Sequence, residues 1–273
     1  MSRDQILLPA GRASGLVLNL YIGLFFVYLF TPLAVMTVAA FNAYPYPSVT
    51  QWKGFTLQWF PALFNDARLM QGLVNSLVVA VGVIAISLPC GLAGALILHR
   101  LQSRAAGVLY TLMVSPILIP GIIVGLATLI FWRDFGVSGG LHLAVLAQSS
   151  FIASYAMLMF LARLERLDLT LEEAALDLGA SKALVLRRIT LPFLKPTALT
   201  AAAIAFLQSF ENYNTTVFSI GGSWTLVTEV GSRLRFGLTP VVNVVGVVFV
   251  GLTLVFATLY VVLRAREAHL PRV

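Results

Sequence analysis

The chain has 273 residues, 59% of them hydrophobic and only 11% charged, with a mean hydropathy of +0.92. A soluble domain carries about 25% charged residues, so this composition excludes an ordinary soluble enzyme or binding module. The net charge of +7 is therefore read as membrane topology before nucleic-acid binding, and the single cysteine, Cys90, lies in an apolar run and supports neither a disulfide framework nor a metal cluster.

A membrane-crossing helix needs about 20 apolar residues. Six stretches qualify: Gly15 to Phe41, Leu69 to Leu98, Ala105 to Trp132, Leu143 to Ala162, Thr197 to Ile220 and Val241 to Leu263. The first is too long for the apolar core of a cleaved signal peptide and reads as a retained signal-anchor. The expected organisation is a tail over 1–14, one transmembrane domain over 15–263 and a second tail over 264–273. Alternate sides of the bilayer receive thirteen and five Lys or Arg residues. The richer side holds both termini, the Arg100/Arg104 loop and the loop over 163–196, which places all of these in the cytoplasm.

Between spans one and two, Asn42 to Arg68 is rich in proline and aromatic residues and suggests interfacial anchoring. In span three, Pro116, Pro120, Gly121 and Gly125 form a hinge or are tolerated helix prolines. After span four comes the one long polar insert, "EEAALDLGASKALVLRRITLPFLKP", from Glu172 to Pro196. It reads as two short helices. Thr170 and Glu173 are spaced as a capping box, and Leu171, Ala174, Ala175 and Leu178 form one apolar face. Gly179 supplies a turn of positive φ. Ser181 caps a second, basic helix running through Arg188, and Pro192 and Pro196 mark the return to the membrane. The pair is either a docking element or a solvated loop whose Glu173 does no more than cap.

Span five carries "FLQSFENYNTTVFS". On a continuous helix Gln208, Glu211, Asn212, Thr215 and Ser219 share an arc of about 100°, while Tyr213 and Asn214 point away. A carboxylate in mid-span costs about 2.5–3.5 kcal/mol on insertion scales. The arc either lines a route through the bundle, with Glu211 offering charge to a cation, or hydrogen-bonds neighbouring helices. Before span six, Trp224, Leu226, Val230 and Leu234 recur at roughly helical spacing among Glu229, Arg233 and Arg235, as in an amphipathic interfacial helix.

No phosphate-binding loop surrounds Lys53, Lys182 or Lys195. There is no G-x-S-x-G elbow and no H-E-x-x-H helix, and His99, His142 and His269 are scattered loop-end residues. The chain is expected not to be an enzyme and to bind neither cofactor nor metal itself. A secondary transporter would show internal repeats, and none is found.

Glu173-Ala174-Ala175, Gly179, Ile189, Leu191 and Pro192 fit E-A-A-x3-G-x9-I-x-L-P at every fixed position. This resembles the EAA loop of binding-protein-dependent ABC importer permeases. "NSLVVA", "SPILIPGIIVGLATL" and "FGLTPVVN" extend the likeness over roughly Gln71 to Arg264. The resemblance implies an all-α, type I importer permease (MetI-like) fold with six spans in a bacterial inner membrane. It implies that Glu173, Ala174, Ala175, Asp177, Gly179, Ala180, Ser181, Ile189, Leu191 and Pro192 form coupling helices seated in a groove of a cytoplasmic ATPase. ATP and Mg bind that partner, and its closure rocks the spans between inward- and outward-facing states. Further implied partners are a second, related permease, a second ATPase copy and a periplasmic substrate-binding protein. The route is assigned to Gln208, Glu211, Asn212, Thr215 and Ser219, and an outer gate to Trp224, Glu229 and Arg233, which could equally be an ordinary interfacial helix. "GFTLQWFPALFNDARLMQGLVNS" and the acid after "SF" in span five resemble the spermidine/putrescine branch. That branch more often has an Asp pair where Glu211-Asn212 stands, which leaves other amines, zwitterions, ferric ion, thiamine or phosphonates open as solutes.

Overall fold

The structure, a computed structural model, describes residues 12–48, 50–101, 103, 105–236 and 239–268. The basic residues Arg3, Arg104 and Arg272, His269 and most of the expected N-terminal tail lie outside the described residues. Among those described, every regular element is a helix. The chain divides into two units, one holding the residues up to Asp66 and from Arg233 onward, the other Ala67–Ser232.

In the first unit, α1 (Arg12–Ala40) and α12 (Val241–Ala268) pack on each other, and α2 (Trp59–Phe64) packs on α12. Most of α1 stays exposed, as befits a helix whose surroundings are lipid. A Cβ on Gly246 would collide with Met36 Sδ, so glycine allows α1 and α12 to approach closely. The proline-rich stretch after α1 is folded around one side chain. Buried Asn42 donates through Nδ2 to Ser48 O and Gln51 O, both at 2.8 Å, and accepts through Oδ1 from the Tyr44 and Lys53 amides. The indole of Trp59 donates to the Asn42 carbonyl at 2.9 Å. One amide thus satisfies four backbone groups that an irregular loop would leave open.

The second unit is built on α3 (Ala67–Arg100), α6 (Leu141–Leu164) and α9 (Leu191–Phe210). One apolar cluster joins Ala95, Leu98, Met157, Phe160 and Leu194, and another joins Val79, Val83, Ile152 and Ala205. α3 and α6 come close at Gly91, where a Cβ would lie 2.7 Å from Ala156 Cβ and 2.8 Å from Ala153 O. Such small-residue contacts take the place of a hydrophobic driving force, which is absent between helices in lipid.

Span three is not one rod. α4 (Ala105–Leu118) and α5 (Gly121–Arg133) meet at 102°. Pro120 pushes Ile119 out of the helical region, and Pro116 removes the donor to the Leu112 carbonyl, which the Ser115 hydroxyl takes over at 2.9 Å.

Span five differs at both ends from its expected Thr197–Ile220. The short helices α7 (Leu169–Asp177) and α8 (Lys182–Val185) form the polar insert, but α8 does not stop at the prolines. It passes through a π-helical turn, Leu186–Thr190, in which the Leu191 amide donates to Leu186 O, and continues as α9. The wider turn brings Pro192 to a helix start, where its missing N–H costs nothing. The result is one apolar helix, Lys182–Phe210, of 29 residues. At its far end the helix stops at Phe210, and a short turn, α10 (Thr216–Ser219), follows before the last helix of this stretch, α11 (Leu226–Phe236).

Four helices, Gly15–Ala40, Ala67–Arg100, Leu141–Leu164 and Lys182–Phe210, are long and apolar enough to cross a membrane, and the bent pair would make a fifth. The start of α12, Val241–Val255, forms a shorter apolar helix.

Gly91→Ala is expected to destabilise the protein by about 1–3 kcal/mol through overpacking of α3 on α6. Gly107→Ala, where a Cβ meets nothing within 4 Å, is expected to be neutral or stabilising. Thermal unfolding in detergent checks this, and equal midpoints for the two variants would contradict the packing.

Candidate functional site

The end of α9 builds a polar cavity. Short polar side chains compete for the backbone and end helices, and "ENYNTT" supplies four of them, Asn212, Asn214, Thr215 and Thr216, in six residues. Glu211 is the C-cap residue. Asn212 Oδ1 accepts from the Thr215 amide at 3.1 Å, the Thr216 hydroxyl donates to Asn212 O, and Gln148 Nε2 reaches across from α6 to donate to Thr216 Oγ1 at 2.7 Å. The bend between α4 and α5 packs against this break. A Cβ on Gly121 would lie 2.7 Å from Thr215 Oγ1, and one on Gly125 would collide with Thr215 O. These glycines therefore permit a close backbone approach, beyond any loosening of span three.

The cavity so formed measures about 400 Å³. Gln208, Glu211, Asn212 and Thr215 line it, as do Phe151 and Tyr155 from α6. Gln208 Oε1 is buried there without a hydrogen-bond partner among the described residues. The expected single arc is corrected, because it assumed a continuous helix. With the helix ended at Phe210, Tyr213 and Asn214 swing round to line the cavity, while Ser219 is buried, donating to Thr215 O at 2.9 Å.

The polar insert is ordered by its own backbone. Asp168, not Thr170, is the N-cap of α7: its Oδ1 accepts from the Thr170 amide at 3.0 Å and from the Thr170 hydroxyl at 2.8 Å. Those two donors, the hydroxyl foremost, hold the Asp168 carboxyl below the ordinary aspartate value. The expected capping box fails because the helix starts one residue before Thr170, which leaves Glu173 outside any cap. At the other end the Ala180 amide donates to Ala175 O and the Gly179 amide to Leu176 O, a Schellman ending that requires the positive φ of +87° at Gly179. Leu178 is left 90% exposed at the tip. Ser181 caps α8, its Oγ accepting from the Leu184 amide at 3.3 Å. Glu173, Ala174 and Asp177 are exposed, with Ala175 and Ala180 half-buried beside them, and Ile189, Leu191 and Pro192 lie in and just after the π turn. Sequence reasoning passed over Glu172, Thr190 and Arg100. The Thr190 hydroxyl donates to Glu172 Oε1 at 2.6 Å, and Arg100 Nη2 lies 3.9 Å from Glu172 Oε2.

In the segment before α11, Trp224 and Glu229 are brought together by Arg68. Glu229 is 4% exposed and accepts from Arg68 Nε at 2.7 Å, while the guanidinium carbon sits 4.6 Å from the Trp224 ring centre. The Trp224 indole donates back to Arg68 O at 3.0 Å, and Asn75 Nδ2 donates to Trp224 O at 2.7 Å. Trp224 precedes the helix it was expected to join. Within the first unit Arg233 makes a two-pronged pair with Asp66, at 2.6 and 2.9 Å.

Residues 87–269 match the family of binding-protein-dependent transport system inner membrane components. The chain belongs to this family, and with several long apolar helices it is a multi-pass membrane protein. Among curated relatives, the spermidine/putrescine transport system permease protein PotC of Haemophilus influenzae is 27% identical over 256 residues, covering 92% of this chain and 97% of that protein. The putrescine transport system permease protein PotI of Escherichia coli K12 is 27% identical over 273 residues, covering 96% of each. The fold is similar to that of a chain in the crystal structure of a bacterial alginate ABC transporter in complex with an alginate pentasaccharide-bound periplasmic protein. That likeness has a TM-score of 0.67 at 17% identity and covers 94% of this chain and 95% of the other. These relatives are transport permeases, and nothing in their names is catalytic.

Arg68→Ala removes the guanidinium that donates to the buried Glu229 carboxylate and stacks on Trp224, and is expected to cost about 1–3 kcal/mol, with Arg68→Lys recovering part of it. Unfolding midpoints of the three proteins in detergent check this, and an unchanged Arg68→Ala midpoint would show the pair to be idle.

Proposed function

We propose that this chain is the permease subunit of an ATP-driven importer that carries a small organic cation of the polyamine class, putrescine or spermidine, across a bacterial inner membrane. The observation that carries this reading is the unbroken helix Lys182–Phe210. At 1.5 Å per residue it extends roughly 40 Å, with the EAA loop at one end and the Glu211 cavity at the other. A displacement of the loop reaches the cavity along one rod.

In this reading the six spans are α1, α3, the bent α4–α5 pair, α6, the Lys182–Phe210 helix and α12, with both termini and the insert over 163–196 in the cytoplasm. The thirteen-to-five distribution of Lys and Arg supports that orientation. The exposed face around Glu173 and Leu178 seats in a cytoplasmic ATPase, two copies of which bind ATP and Mg. A second permease completes the pathway, and a periplasmic binding protein delivers the solute on the side of Trp224 and Glu229.

The cavity chemistry supports a cation. Glu211 is an exposed carboxylate on its wall, in a lining that also includes Gln208, Tyr155 and Tyr213. Aromatic faces attract ammonium groups by about 0.5–2 kcal/mol, more as they are desolvated. An anion would meet a like charge there. The names of the PotC and PotI relatives point to the same solutes.

Two substitutions test the two ends of the rod in proteoliposomes containing the whole transporter. Glu173→Lys reverses the charge of an exposed coupling residue and is expected to abolish uptake while ATP hydrolysis continues; unchanged uptake would remove Glu173 from coupling. Glu211→Gln keeps the shape and removes the charge, and is expected to lower uptake of labelled putrescine or spermidine about tenfold with assembly intact, the scale of one charged hydrogen bond. Full uptake by Glu211→Gln would leave the cavity as a packing feature.

A further inference from the structure

Among the described residues, α7 has one side chain that reaches beyond the polar insert's own turns. Asp168 and Thr170 bond each other, the Schellman bonds close the C-terminus, and Glu173 is exposed. Glu172 is the charged residue of α7 that is not exposed, its side chain 16% accessible. One of its oxygens accepts from the hydroxyl of buried Thr190, in the π turn that begins the long helix, at 2.6 Å. The other faces Arg100, the last residue of α3, at 3.9 Å.

We propose that Glu172 is the positioning residue that ties the coupling helix to two spans at once, α3 through Arg100 and the Lys182–Phe210 helix through Thr190. The role rests on the importer reading above, and Glu172 acts through Arg100 and Thr190. Three features support it. Hydrogen bonds to a charged acceptor are short and strong, so the Thr190 link is stiff. The π turn in which Thr190 sits carries a widened hydrogen-bond register, a feature common where helices are worked on. The leucines of α7, Leu169, Leu171 and Leu176, all stay exposed. Movement of α7 by a partner therefore has, beside the covalent path through Gly179 and α8, a direct link to two spans through this carboxylate.

The test compares solute imported per ATP hydrolysed in the reconstituted transporter for wild type, Glu172→Ala, Glu172→Gln, Thr190→Val and Thr190→Ser, with co-purification of the ATPase as the measure of assembly. Glu172→Ala and Thr190→Val are expected to hold the ATPase and hydrolyse ATP while the import-to-hydrolysis ratio falls about tenfold. Thr190→Ser, which keeps the hydroxyl, is expected to restore the ratio, and Glu172→Gln, which keeps the Thr190 bond and loses the Arg100 attraction, to fall between. If Glu172→Ala fails to assemble, the Thr190→Val and Thr190→Ser pair decides by the same ratio. A wild-type ratio in Thr190→Val and in any assembled Glu172→Ala, while Glu173→Lys uncouples, would overturn this role and spare the importer reading. Absence of ATP-driven import by the wild-type complex would overturn both.

Discussion

Backbone groups that lose their helical partners inside an apolar layer have no water to turn to, so they must be buried in protein or line a polar cavity. Two helices of this chain break within their apolar stretches, α9 at Phe210 and the α4–α5 pair at Ile119, and the breaks are packed on each other. The side chains of Asn212 and Thr216 take up backbone groups at the break, Gln148 donates to the Thr216 hydroxyl from α6, and two glycines let the bend close on Thr215. What stays open between them is the cavity with Glu211 on its wall. The polar site is thus a consequence of where the helices fail.

The other half of the design is where a helix does not fail. Pro192 and Pro196 would ordinarily break the chain between the polar insert and the membrane. A single π turn absorbs the first, and the Thr200 hydroxyl donates to the Pro196 carbonyl at 3.1 Å, inside a helix that keeps running. The insert is therefore continuous with a span, and its caps at Asp168 and Ser181 and its Schellman turn at Gly179 keep it stiff.

Local features were legible in the sequence because they depend on neighbours in the chain. The EAA loop, the positive φ at Gly179 and the cap at Ser181 follow from residue type at fixed offsets. The helix start was misplaced by two residues because Asp168 and Thr170 are both good caps, and only the backbone decides between them. The break after Phe210 was hidden because the apolar pattern of span five runs on through Val217 and Ile220, and hydropathy does not register a helix end. Pro116 and Pro120 announced a bend, but a 102° turn needs the glycine contact with Thr215 to hold it. The pairs Arg68–Glu229 and Glu172–Thr190 were beyond reach because they join residues 161 and 18 positions apart, and no local rule relates such partners. Membership of a transport family needed none of this, which is why composition and one motif sufficed for it.

The most direct measurement is ATP hydrolysis by the reconstituted transporter with its own binding protein, across a panel of polyamines, amino acids and anions. Stimulation by putrescine or spermidine, and not by anions, is the expected result. Hydrolysis indifferent to every ligand in the panel would contradict the claim that this rod couples an ATPase to a cation site.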